Sequence, residues 1–135
     1  MHFTLDPRLE NDSVFLCDWP LCQVRLSRNA AFPWLLLIPR RNNVIEIIDL
    51  SEADQSQLLV EIRKASEVMK KLYSPKKLNV ANLGNIVAQL HVHVIARFEN
   101  DEAWPGPVWG RNISREHETG MLAARMESLQ AELQL

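Results

Sequence analysis

The residues of this sequence best suited to chemistry are two histidines in segment 89–95. The segment reads QLHVHVI, so Gln89, His91 and His93 alternate with apolar residues. Side chains along a β-strand point alternately to opposite faces, which places both imidazoles on one face, about 7 Å apart at ~3.3 Å per residue. The intervening apolar residues then face a core. Because a polar face on such a strand has no packing purpose, the pattern predicts a functional site.

Two chemistries use a pair of imidazoles on one strand face. A neutral imidazole can attack an electrophilic phosphorus while its neighbour hydrogen-bonds to the phosphate. The same pair could instead hold zinc, but a catalytic zinc needs a third ligand. The other histidines, His2 and His117, are far away in the sequence, and Cys17 and Cys22 lack the spacing of a ligand pair. The pattern therefore favours nucleophilic catalysis or a nucleotide site over a metal site.

Short apolar segments predict the strands that would position this motif. Two of them, separated by Asp-Trp-Pro, form a predicted hairpin, because proline stops a continuous strand. The segment WLLLI is apolar on both faces and reads as a buried central strand. The predicted strands cover residues 13–17, 21–26, 34–38, 78–82 and 87–97.

One long helix and a second, shorter one complete the predicted fold. The Ser51 hydroxyl can cap the first turn of a helix, and acidic residues follow where the helix dipole favours them. Apolar residues recur at spacings of three and four over 58–72, and Pro75 ends the helix. A C-terminal amphipathic helix is predicted over 114–133. The fold class is α+β: one domain, 1–135, with an antiparallel sheet of about five strands and the long helix packed on it.

The motif resembles the signature of the histidine-triad (HIT) family of nucleotide hydrolases and transferases. That signature is His-φ-His-φ-His-φ-φ, with φ hydrophobic, and Gln89 stands where the first histidine would be. Segment 84–87 (GNIV) is similar to the Gly-Gln-Ser/Thr-Val that family members carry ahead of the triad. The order of the WLLLIP strand, long helix and return strand also agrees. The resemblance covers about residues 13–97, and the extension 98–135, with its WPGPVWG segment, lies outside it.

The resemblance implies a catalytic set of Gln89, His91 and His93. His91 matches the middle histidine, whose ring nitrogen attacks the α-phosphorus to give a nucleotidyl-histidine intermediate that water resolves. His93 matches the histidine that hydrogen-bonds at the phosphate. Gln89 can donate and accept hydrogen bonds but cannot exchange a proton near neutral pH. Since a good leaving group needs little protonation, we expect hydrolysis of a nucleoside polyphosphate, of the diadenosine polyphosphate kind, rather than of a phosphoramidate.

Four further residues are candidates for substrate binding. The resemblance matches Asn85 to the amide that contacts phosphate oxygens, and places Asn82 on the strand that reaches toward the substrate. It also offers Asn29 for the ribose hydroxyls. Arg97 follows the active strand, where its charge could attract phosphate. Trp104 and Trp109 of the WPGPVWG segment would form either a base-stacking wall or a loop packed on the sheet.

Composition narrows the classes of partner. The 135 residues include 15 basic and 17 acidic side chains, giving a net charge of −2, which argues against nucleic-acid or acidic-membrane binding. The longest uncharged apolar run, 30–39, is too short for a membrane span, which takes about 20 residues. We expect a cytoplasmic protein that forms a homodimer, as the resemblance implies, and requires no cofactor beyond Mg²⁺ carried by a polyphosphate. A nucleotide-binding module with little turnover and a metal-binding protein are the alternatives.

Overall fold

The computed structural model describes residues 2–134 as an α+β fold, which confirms the predicted class. The helices are α1 (Pro7–Asn11), α2 (Glu52–Tyr73) and α3 (Met121–Leu133), with a short 3-10 turn at Ile47–Asp49. The strands are β1 (Ser13–Asp18), β2 (Cys22–Ser27), β3 (Trp34–Pro39), β4 (Lys77–Ala81) and β5 (Val92–Arg97). None of the helices in this described part is long and apolar enough to cross a membrane.

The strands form a single antiparallel sheet in the order β1-β2-β3-β5-β4. β5 therefore lies inside the sheet, between β3 and the edge strand β4. His93 pairs with Leu36 on β3 and with Ala81 on β4. This double pairing fixes the backbone at His93 on both sides.

The two faces of β5 have different surroundings. Val92, Val94 and Ala96 are buried in the main hydrophobic core beneath α2 and α3. His93 and Arg97 lie on the opposite face, and both are buried as well. The alternation in the sequence thus assigns each side chain of the strand to its correct face.

Helix α2 has the ends that its sequence predicts. The Ser51 hydroxyl accepts a hydrogen bond from the Asp54 amide at 3.1 Å, which caps the first turn. Ser74, directly before Pro75, takes a left-handed backbone conformation and ends the helix.

Two predicted elements start later than the sequence suggests. The strand predicted from residue 87 begins only at Val92, because Leu90 donates its amide to the Val44 carbonyl instead of to a neighbouring strand. The helix predicted from residue 114 begins at Met121. Gly120 precedes it at a φ of 83°, a left-handed conformation that prevents the helix from extending further back. Helix α1 is an element that the sequence analysis did not predict.

Candidate active site

Both motif histidines border a cavity of about 1020 Å³ on the face of the sheet opposite the main core. Trp34 and Leu36 of β3 lie beside His91 and His93 in its lining. The two imidazole rings meet edge to face, with their centroids 4.9 Å apart. The structure therefore brings together the two residues that the sequence singled out, in a space large enough for a small-molecule ligand.

A main-chain hydrogen bond sets the protonation of the His91 ring. Its Nδ1 lies 2.7 Å from the backbone carbonyl oxygen of Gln89. Because a carbonyl oxygen only accepts hydrogen bonds, Nδ1 must carry the proton and donate it. In the neutral imidazole, the lone pair is then on Nε2, which makes this nitrogen a nucleophile.

The opposite tautomer is set at His93 by an indole. Trp34 donates its Nε1–H to His93 Nδ1 at 2.9 Å, and an indole N–H can only donate. His93 Nδ1 therefore carries the lone pair, and its proton is on Nε2. Burial, and after it the charge of His91, lowers the pKa of His93 to about 3, so the ring is neutral at physiological pH.

Both Nε2 atoms are accessible from the cavity. Within residues 2–134, every fully buried side-chain nitrogen or oxygen has a hydrogen-bond partner. The partners of His91 and His93 are found at Nδ1, and both rings line the cavity. The site thus offers a lone pair from one imidazole and an N–H from its neighbour.

The WPGPVWG segment contributes one of its two tryptophans to the cavity. Trp109 lines it and packs edge to face against His93, with ring centroids 5.0 Å apart. The rings of Trp109 and Trp34 also pack edge to face, with their centroids 5.9 Å apart, so His93 is flanked by two indole rings. Trp104 lies outside the lining and packs over the Arg97 guanidinium.

Arg97 is not brought to the cavity. Its side chain is 2% exposed and makes a bidentate ion pair with Asp101, at 2.8 and 3.0 Å. It also donates to the Asn79 side chain and to the Gly106 carbonyl, both at 2.8 Å. Although burial opposes it, the hydrogen bond from Arg97 lowers the pKa of Asp101 to about 2, aided by three backbone amides. Arg97 therefore holds segment 101–106 in place, which argues against the phosphate-attracting role expected from the sequence.

The three candidate asparagines differ in position. Asn85 is exposed and lines the cavity, whereas Asn82 lies outside the lining. Asn29 lines the cavity, but its amide nitrogen donates to the Ile113 carbonyl at 2.9 Å. Its oxygen accepts the Arg115 amide at 3.1 Å as well as a local amide. Asn29 thus anchors the C-terminal extension, and its side chain is already occupied by main-chain partners.

Gln89 also points away from the cavity lining. Its amide oxygen accepts the Asp6 amide at 2.8 Å, and its amide nitrogen donates to the Thr4 carbonyl at 2.8 Å. The structure therefore brings only two of the three residues of the implied catalytic set to the cavity. Two imidazoles face the cavity, and the glutamine binds the N-terminal segment.

The sequence reasoning missed a large part of the cavity wall. His117 lines the cavity, and burial, followed by the charge of Arg125, lowers its pKa. It lies before α3 in a segment without regular secondary structure, which the sequence analysis placed in a helix. Trp34 was also missed, because a tryptophan within WLLLI reads as a core residue. Among the described residues, no three His, Cys, Asp or Glu side chains are grouped so that they could hold a metal ion.

Comparisons with known proteins agree with this fold. The sequence matches the family model of the HIT domain over residues 8–100. A histidine triad protein from Bradyrhizobium japonicum is 42% identical, with a TM-score of 0.95 over 98% of this chain and 99% of that one. Another from Marinobacter aquaeolei is 40% identical, with a TM-score of 0.95 over 99% of this chain and 98% of that one. No curated protein matches the sequence.

The chain therefore belongs to the HIT family, as its histidine motif predicts. The matched region begins within α1 and ends just after β5, so it includes both histidines and the whole sheet. The high structural similarity to the two histidine triad proteins extends over nearly the full chain, including the C-terminal extension. Family membership supports a nucleotide-binding or hydrolase role.

Proposed function

We propose that this protein hydrolyses a nucleoside polyphosphate at its α-phosphorus through a covalent intermediate on His91. The observation that carries the proposal is the pairing of opposite tautomers in one cavity. His91 presents the Nε2 lone pair, and His93 presents an Nε2–H, with the rings 4.9 Å apart. A nucleophile and an adjacent hydrogen-bond donor are what attack on a phosphate ester requires.

The proposed reaction has two displacements. The His91 Nε2 lone pair forms a bond to the α-phosphorus while the bond from phosphorus to the bridging oxygen breaks, and the departing phosphate takes that electron pair. A water molecule then attacks the same phosphorus, the N–P bond breaks and the lone pair returns to Nε2. The water proton passes to the solvent or the released phosphate. His93 hydrogen-bonds to the phosphate oxygens in both steps through its Nε2–H.

The position of Gln89 favours a substrate whose leaving group does not need to be protonated. Its side chain binds main-chain atoms of residues 4 and 6, outside the cavity lining, and an amide does not titrate. A phosphate leaves as a stable anion, whereas the amine of a phosphoramidate must be protonated. Polyphosphate substrates therefore suit this site better, and Mg²⁺ carried by the substrate is compatible with the step.

A nucleotide-binding role with little turnover is the second candidate. The same observation at Gln89 favours it, because the amide cannot supply a proton if the reaction needs one. This candidate keeps the cavity and its aromatic wall but predicts binding without bond cleavage.

We also propose that two copies of the chain associate along β4. This strand is an edge of the sheet, and Val80 on it is 46% exposed. Leu83, directly beyond the strand, is 41% exposed. Light scattering of the wild type and of Val80→Lys would test this arrangement, with a dimer expected for the first and a monomer for the second. The cytoplasmic location stays a prediction from composition.

The experiment that tests the activity follows AMP release from a diadenosine polyphosphate and from an adenosine phosphoramidate. We expect release from the polyphosphate to be faster, and to fall by at least about 10³-fold in His91→Ala. His2→Ala is the matched control, since His2 is exposed and lies outside the cavity. AMP binding measured by calorimetry without any release would favour the binding module instead. Faster release from the phosphoramidate would reverse the assignment of the leaving group.

A further inference from the structure

The backbone that carries His91 is not held by the sheet. Residues 82–91, called here the His91 loop, lie between β4 and β5 without regular secondary structure. Leu90 donates to the Val44 carbonyl at 3.0 Å, which attaches the end of the loop to the segment before α2. Leu90 is also buried in the main core, and Val87 packs against a smaller apolar cluster. The side-chain hydrogen bonds between the loop and the rest of the described chain are made with the N-terminal segment, residues 4–8.

Gln89 is the central contact between this loop and the N-terminal segment. Its amide makes two hydrogen bonds of 2.8 Å, one accepted from the Asp6 amide and one donated to the Thr4 carbonyl. Arg8 adds a third, from its guanidinium to the Ile86 carbonyl at 3.1 Å. Arg8 is itself oriented by the Asp6 carboxylate, which also caps α1. The N-terminal segment is thus organised to support the loop.

We propose that Gln89 is a positioning residue that acts through His91. Its side chain fixes the main chain at position 89, and the carbonyl of that same residue accepts the His91 Nδ1–H at 2.7 Å. Holding this carbonyl in place keeps the His91 lone pair on Nε2. Only the expected change in kcat rests on the proposed function. The tautomer of His91 is a property of the protein without substrate.

The chemistry of the amide explains why this position suits glutamine. An amide offers a donor and an acceptor together, as the Thr4 carbonyl and the Asp6 amide require. A carboxylate would keep the bond from Asp6 but would face the Thr4 carbonyl without a proton to donate. Because the amide does not titrate, the support is the same at every physiological pH.

The test compares two Gln89 variants with a matched control. Gln89→Ala removes both hydrogen bonds, and Gln89→Glu removes only the one to Thr4 in a side chain of the same shape. Asn42→Ala is the control, because Asn42 accepts from the Thr4 amide at 3.3 Å and donates to the His2 carbonyl at 2.7 Å. It therefore holds the same N-terminal segment without touching the His91 loop.

Two readouts are measured on the full-length chain. Nitrogen-15 NMR of the histidine rings reports the His91 tautomer, and AMP release gives kcat and KM. We expect both Gln89 variants to show a mixed His91 tautomer and a kcat about tenfold lower, with KM within about threefold of wild type. Asn42→Ala should keep the wild-type tautomer and a kcat within about twofold.

Each contrary result has a defined meaning. A wild-type tautomer in both Gln89 variants would overturn the proposal, whatever the change in kcat. An equal loss of kcat in Asn42→Ala with the wild-type tautomer retained would also overturn it, since the loss of activity would then not depend on the His91 tautomer. If Gln89→Ala fails to fold, Gln89→Glu decides. If the wild-type protein releases no AMP, the proposed function fails, while the NMR comparison still decides the role of Gln89.

Discussion

His93 and Arg97 lie four residues apart on the same face of β5, yet they have opposite roles. Both are buried, at 7% and 2% exposure. Arg97 makes four hydrogen bonds to protein acceptors, and a carboxylate neutralises its charge. His93 has one ring nitrogen bound by Trp34, and the other faces the cavity. The comparison shows that a polar residue on this face indicates a functional site only when one of its polar atoms has no protein partner and faces the cavity. His93 meets this condition and Arg97 does not.

Removing the Arg97 side chain should have the largest effect on stability. Arg97→Met leaves Asp101, which is 5% exposed, as a buried charge without its partner, so we expect a loss of about 3 to 5 kcal/mol. Urea denaturation of the two proteins measures this difference. Arg28→Met is the control, because Arg28 is exposed at the cavity rim and its loss should change stability by less than about 0.5 kcal/mol. Similar losses in both variants would show that the partners of Arg97 stabilise the fold no more than an exposed arginine does.

His93, in contrast, should make the free energy of unfolding depend on pH. The folded-state pKa of about 3 lies below the unfolded value of 6.5, so the unfolded chain binds more protons between these limits. The contribution of His93 to the free energy of unfolding is therefore complete above pH 6.5. It decreases as the pH is lowered, by about 2 kcal/mol between pH 7 and pH 5. Asp101 contributes only below about pH 4, since its pKa is lowered from 3.8 to about 2.

The wild type and His93→Gln should thus differ in their pH dependence. Glutamine does not titrate, so this part of the decline between pH 7 and pH 5 should disappear in the variant. The lowered pKa of His117 acts in the same direction and is common to both proteins, so the difference isolates His93. Parallel curves for the two proteins over this range would show that His93 is not held neutral by the fold.

The smallest expected effect comes from the Trp34 hydrogen bond. Trp34→Phe keeps an aromatic ring against His93 but removes the N–H donor, which frees His93 to place its proton on either nitrogen. We expect kcat to fall about fivefold to tenfold, the worth of one hydrogen bond. Trp109→Phe preserves a ring contact and should cause a smaller loss. Equal losses would indicate that packing, and not the tautomer, is what Trp34 supplies.

Local patterns in the sequence predicted the sheet and the histidine pair well. Alternation along β5 is a property of neighbouring residues, so it placed Val94 in the core and His93 on the opposite face. The cap at Ser51 and the stop at Pro75 are equally local, and α2 has both ends where they predict.

The parts of the site that were missed depend on long-range contacts. Gln89 contacts residues more than 80 positions away, and nothing near it in the sequence indicates them. The burial of Arg97 was missed for the same reason, since it depends on partners on β4 and in the following loop. His117 reaches the cavity from a segment without regular secondary structure, which the sequence pattern placed in a helix.

The central claim is that the Nε2 lone pair of His91 attacks phosphorus, and the stereochemistry of the reaction tests it most directly. A substrate with a chiral α-phosphorothioate, hydrolysed in water enriched in oxygen-18, gives a product whose configuration at phosphorus can be determined. Two successive displacements, through a histidine intermediate, each invert the configuration and together retain it. We predict retention. Inversion would mean a single direct attack by water and would contradict the account.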